Sequence, residues 1–159
     1  MRKRSKYRPK GVILDVMNHV LSGMKIVGQI GPGTTLKIKN HDALNRVRLG
    51  HGTRDDIDVL IGAFNISEAL AMMRIGDDWK SEIRAAQDAL LELGKRGAKT
   101  NRFIMKPQEL VAFNLAMEIH DAQLDACTVA ELEKAIDLVN SIIRSKQARV
   151  IVEKEDENV

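Results

Sequence analysis

The chain has 159 residues, 44% of them apolar and 30% charged, with a net charge of +3. A chain of this size hides roughly 68–70% of its unfolded surface, so one domain with a proper core is expected and disorder throughout is excluded. The longest uninterrupted apolar run, Ala69 to Met73, falls far short of the roughly 18 residues a membrane span needs.

The predicted elements follow in chain order. Ile13, Val16, Met17, Val20, Leu21 and Met24 recur at helical spacing and predict an amphipathic helix over 12–22, ended near Gly23. Residues 28–33, with three glycines and a proline, read as a loop. Thr35–Lys39 alternates apolar and polar like a short strand, and Asn40 offers a side-chain cap for a short helix over 41–49. Thr53, with Asp55, Asp56 and Asp58 behind it, starts a long helix over 54–75 that Gly76 ends. Asp77 or Asp78 then caps a helix whose face is Trp79, Ile83, Ala86, Leu90 and Leu93. The glycine-bearing basic segment 94–101 reads as a loop, and Phe103–Met105 as a strand pairing with Leu36–Ile38. Pro107 opens a helix to about 126 at the position that suits proline. Thr128 and Glu131 form a capping box for a last helix over 129–147, whose stripe of Leu132, Ala135, Ile136, Val139, Ile142 and Ile143 is the most regular in the chain.

Four long helices joined by short loops predict an all-α antiparallel bundle, decorated by the helix over 12–22 and the strand pair. The domain organisation expected is a basic arm at 1–10, one helical domain over 11–150 and an acidic tail at 151–159. The wide stripe of the 54–75 helix leaves burial within one chain and homodimerisation equally open. The stretch Val12-Ile13-Leu14 stops at Asp15, too short for a secretory signal, which makes cytoplasmic residence the expectation. The single cysteine, Cys127, cannot close an internal disulfide and reads as a buried or half-buried free thiol at a helix junction.

Charge placement carries the main functional expectation. Residues 1–10 hold Arg2, Lys3, Arg4, Lys6, Arg8 and Lys10 with no acid, a local charge of +6, and residues 153–157 sum to −3, leaving no net charge between them. Such a cation block displaces counterions from a nucleic-acid backbone, and Tyr7 offers a ring on which a base can stack. Lys95, Arg96, Lys99 and Arg102, with Lys106, form a second cationic cluster that extends the surface if the fold sets it beside the arm. The same arm also suits an acidic protein surface, or the chain's own acidic tail. Gly28, Gly31 and Gly33 lack the lysine and hydroxyl of a phosphate-binding loop and read as turn glycines.

Chemistry of other kinds is poorly signalled. His41-Asp42 and His120-Asp121 allow His19, His41, Asp42 and Asp121 or Asp125 to be written in the order of a metal-dependent phosphohydrolase of the HD class, but His41-Asp42 lies in a polar segment unsuited to a buried metal. Glu118, Asp121 and Asp125 share one helix face, yet no Glu-x-x-His accompanies them. No nucleophile motif occurs, so a protein that binds, without catalysis, cofactor or metal, is expected.

The opening RKRSKYRPKG at 2–11, LKIKNHDAL at 36–44, and EIHDAQLDA with ELEKAIDLV within 118–139 carry a resemblance to small helical proteins of phages and prophages of Gram-negative bacteria. The resemblance runs along most of the chain and implies a context, not a reaction: a phage accessory protein made in a bacterial host, concerned with genome handling, transcription or a host system. The leading expectation is thus an accessory protein that binds nucleic acid or a ribonucleoprotein through its arm. The alternative is a modulator of a host enzyme or defence complex, and the HD-class hydrolase is a third reading.

Overall fold

The structure, a computed structural model, describes residues 32–145. The helix expected over 12–22, the arm, the acidic tail and the loop glycines Gly28 and Gly31 lie outside the described residues. Those described form five helices and no strand: α1 (Pro32–Arg48), α2 (Arg54–Met72), a 3₁₀ turn (Asp77–Trp79), α3 (Lys80–Thr100), α4 (Pro107–Ala126) and α5 (Val129–Arg144). Among these residues the protein is all-helical, and the expected strand pair is absent.

These corrections share one cause, a residue type read for its local habit where packing decided otherwise. Residues 35–39 belong to α1, whose buried face is Asn40, Ala43, Leu44 and Val47 with Leu36 half-buried ahead of them. The polar Asn40 interrupted that stripe, and Ile38, which created the apparent alternation, is 66% exposed. Residues 94–100, expected as a loop, are the end of α3, with Gly94 and Gly97 on its buried face. A Cβ on Gly97 would lie 2.1 Å from Phe103 Cδ1, so this glycine makes room for a ring and does not turn the chain. Phe103–Met105 is irregular backbone laid over that gap. Asp77 and Asp78 sit inside the 3₁₀ turn and do not cap α3, and Trp79 faces outward.

The other boundaries follow from capping chemistry. Thr53 Oγ1 accepts from the Asp56 backbone N–H at 3.4 Å while the Asp56 carboxylate accepts from Thr53 N–H at 2.8 Å, satisfying two otherwise free donors. Thr128 and Glu131 do the same for α5 at 3.2 and 2.8 Å. Between α2 and the 3₁₀ turn, Gly76 adopts φ +77°, a region closed to most side chains, and Gln123 packs where a Cβ would be.

The α2 helix touches all four others. Its Leu60 and Phe64 meet Val47, Leu90, Leu93 and Phe113 in the main core, with the Phe64 and Phe113 rings tilted at 5.9 Å between centroids. A second cluster gathers Leu70, Leu124, Cys127, Leu132 and Ala135, with Leu36 against it. Gln123 is buried between the helices with its amide satisfied: Ser67 Oγ donates to it at 2.5 Å, and Nε2 donates to the carbonyls of Ser67 and Ile75 at 3.0 and 2.8 Å. The stripe on α5, the most regular in the sequence, is the least covered. Only Leu132 and Ala135 are buried in that helix, Ile136 and Ile143 are exposed, and a hollow of about 160 Å³ lies between α2, α3 and α5 beside Val139 and Ile142.

Candidate functional site

At the junction of α3 and α4 the second cationic cluster divides in two. Arg96 turns inward: its guanidinium donates to both oxygens of Glu109 at 2.7 and 2.6 Å and to the Ile104 carbonyl at 3.3 Å. Glu109 also accepts from the Lys106 backbone N–H at 2.8 Å. Burial opposes ionisation of Glu109, but these donors outweigh it and hold the carboxyl below its usual range, while the same contact raises Arg96. Arg96 therefore clamps the connection between the helices and presents no free charge. The others face water. Lys95 and Lys99 stand one turn apart on α3, Asn101 ends that helix in the left-handed conformation, and Arg102 and Lys106 follow on the connection, all exposed. Among the described residues, Lys99 and Arg102 have no acidic side-chain partner, Lys106 adds its charge to those acting on Glu109, and Lys95 has only the exposed Glu92 at 3.6 Å.

Compared with protein-family models, curated proteins and solved structures, the chain matches none. The reading of its surfaces rests on their own chemistry. Arg2, Lys3, Arg4, Lys6, Tyr7, Arg8 and Lys10 lie outside the described residues, so the structure does not relate them to the junction. Lys95 and Lys99 are exposed at the end of α3, and Arg102 and Lys106 on the connection that follows it.

The two His-Asp pairs meet across α1 and α4. His41 Nε2 and Asp121 Oδ2 are 2.7 Å apart, Lys37 pairs with Asp125, and Asp42 pairs with Arg46 on its own helix. Asp121 and Asp125 are thus matched by cationic or proton-bearing groups of α1. Among the described residues no group of three His, Cys, Asp or Glu side chains is disposed to hold a metal ion. His19 lies outside them. His120 is fully buried with both ring nitrogens unpartnered, and burial, with help from His41 and Lys37 against Asp121, pushes its pKa down to about 4. It is a neutral core imidazole. Cys127 is a buried free thiol at the end of α4, its pKa raised by burial and by Glu131 and Asp125.

A site that sequence reasoning missed lies between the 3₁₀ turn and α4. Trp79, 48% exposed, walls an open groove of about 380 Å³ floored by Ile75, Leu115, Ile119 and Ala122, with Glu118 on its lining. The signal available beforehand was weak: Trp79 falls in phase with the apolar face of α3, and only its place behind two aspartates hinted at a turn.

Proposed function

We propose that this protein is a non-enzymatic accessory protein of phage type, acting in the bacterial cytoplasm, that binds nucleic acid or a ribonucleoprotein through its basic arm. The observation that carries the reading is the set of exposed cations Lys95, Lys99, Arg102 and Lys106, two of which, Lys99 and Arg102, are without an acidic partner among the described residues. Nucleic-acid affinity is dominated by such unneutralised charge meeting phosphates. Arg2, Lys3, Arg4, Lys6, Arg8 and Lys10 would supply most of the phosphate contacts, Tyr7 a stacking surface, and the junction a second, rigid point of contact. The architecture behind it is an antiparallel four-helix bundle of α2 to α5 with α1 against it, a reading supported by the opposed order of Arg84–Glu68 and Gln87–Asn65 between α3 and α2.

The test is fluorescence anisotropy of labelled single- and double-stranded oligonucleotides over a series of salt concentrations. With the six arm cations engaged, log affinity falls against log salt with a slope of up to about −5. Deleting residues 1–10 should remove that slope, and any further slope of up to about −3 contributed by the junction should be lost in the protein carrying Lys99→Gln, Arg102→Gln and Lys106→Gln together. Absence of arm-dependent binding at low salt rejects the proposal.

A further inference from the structure

The hollow of about 160 Å³ between α2, α3 and α5 is walled by Phe64, Ala69 and Met72 of α2, Leu90 of α3, and Val139 and Ile142 of α5. The polar part of its lining is Asn65, Glu68, Arg84 and Gln87, and these four are joined to one another. Gln87 Nε2 donates to Glu68 Oε2 at 2.9 Å and to Asn65 Oδ1 at 3.2 Å, and Arg84 meets Glu68 Oε1 at 3.4 Å. Both amide protons of Gln87 are thereby engaged. Its Oε1, on a residue only 9% exposed, is buried and has no donor among the described residues. The one carboxylate and the one guanidinium among the described lining residues neutralise each other, so the hollow presents no net charge.

These features select the occupant. A buried carbonyl left without a donor costs about 1–3 kcal/mol, which a donor carried in by another molecule recovers. A carboxylate or phosphate would find Arg84 already met by Glu68 and would set its own charge against that carboxylate. An ammonium would have to displace Gln87 or Arg84 from Glu68. The volume is on the order of that which accepts a single aromatic ring, too little for a peptide segment. We infer that the hollow is a binding site for a small uncharged molecule with an apolar, ring-sized body and one N–H or O–H group, which donates to Gln87 Oε1. The body lies against Phe64, Leu90 and Val139 and covers the side of α5 that the bundle leaves thinly packed. This site does not depend on nucleic-acid binding.

The test uses indole, whose N–H donates, and benzofuran, which has the same shape with an ether oxygen in place of the N–H. Each is titrated into the full-length protein by isothermal titration calorimetry, and amide exchange in α5 is followed in parallel. Indole should bind saturably at millimolar concentration and slow exchange in α5, and benzofuran should bind at least about fivefold more weakly. Gln87→Leu should bring the two affinities within about twofold of each other. Val139→Trp, which fills the hollow, should abolish binding of both while the circular dichroism is retained. No saturable binding of indole overturns the inference, as does equal binding of indole and benzofuran or a preference for indole that survives Gln87→Leu. If indole binds the monomer but is excluded from a dimer seen by sedimentation at higher protein concentration, a second copy covers the hollow and the assignment to a small molecule is overturned. Binding gained only when residues 1–10 or 151–159 are deleted overturns it likewise, because the chain's own end then holds the site.

Discussion

Gly97→Ala sets two physical effects against each other at a single position. Helix propensity alone favours alanine over glycine within α3 by about 1 kcal/mol. The added Cβ, however, would lie 2.1 Å from Phe103 Cδ1 and 2.2 Å from Cε1. An aromatic ring has no flexible end with which to yield, so it must move as a whole. Its segment is not free to follow, because Arg96 holds the Ile104 carbonyl and both oxygens of Glu109. Displacing the half-buried Phe103 forfeits about half of the 1.5–3 kcal/mol that full burial of such a side chain contributes, and forced overpacking costs about 1–3 kcal/mol. Sterics therefore exceed propensity. The net destabilisation is about 1–3 kcal/mol, a fall in Tm of about 3–9 °C for a chain of this size, read by far-UV circular dichroism. Gly62→Ala in α2 is the control: nothing lies within 4 Å of its Cβ, so the same substitution should raise Tm. Combining Gly97→Ala with Phe103→Ala should cost no more than Phe103→Ala alone. A Gly97→Ala protein that melts at or above the parent temperature refutes the close packing of α3 on Phe103.

Three further outcomes follow from buried titratable groups. His120 is neutral in the fold at a pKa of about 4, whereas the unfolded chain takes up its proton near 6.5. Its contribution is complete above the unfolded value and is lost as pH falls toward about 4, a total of order 3 kcal/mol; His120→Leu should flatten urea-derived stability across that window, and a slope equal to the parent's would count against the buried neutral imidazole. The carboxyl of Glu109 is depressed in the fold, so its stabilisation is present above the unfolded value and disappears as pH drops through the folded one. Glu109→Gln should accordingly lose about 1–3 kcal/mol near neutral pH and converge on the parent in strong acid, and parallel acid limbs for the two proteins would refute this. Cys127, buried and with its thiol pKa raised, should resist iodoacetamide until urea unfolds the chain; rapid labelling of the native protein would be incompatible with its position.

Much of the fold is legible in the sequence where local chemistry fixes it. Thr53 and Thr128 announce helix starts because a hydroxyl and a carboxylate three residues on satisfy the same orphan donors wherever they occur. Pro107 does likewise through its fixed φ and missing N–H. What escapes sequence reading depends on residues far apart. Asn40 is buried in the face of α1 against partners that no local pattern names. Gly97 is selected by Phe103, six positions on and outside the helix. Arg96 counts as a surface cation until Glu109 is found within reach of both its terminal nitrogens. The candidate cation surface was therefore legible as a cluster of residues but not in its membership, and Trp79 was assigned to the core because an exposed and a buried aromatic have the same letter.

The thin seating of α5 has a consequence for how the molecule comes apart. That helix leans on α2 with two side chains fully covered near its start and a hollow beneath its later turns. Among the described helices, amide exchange should accordingly be fastest there, running backward from Arg144 toward Thr128, while α2 holds its protons until global opening. The described fold would then begin to open at α5, uncovering the sides of Phe64 and Leu90 that line the hollow while the rest of the main cluster stays packed.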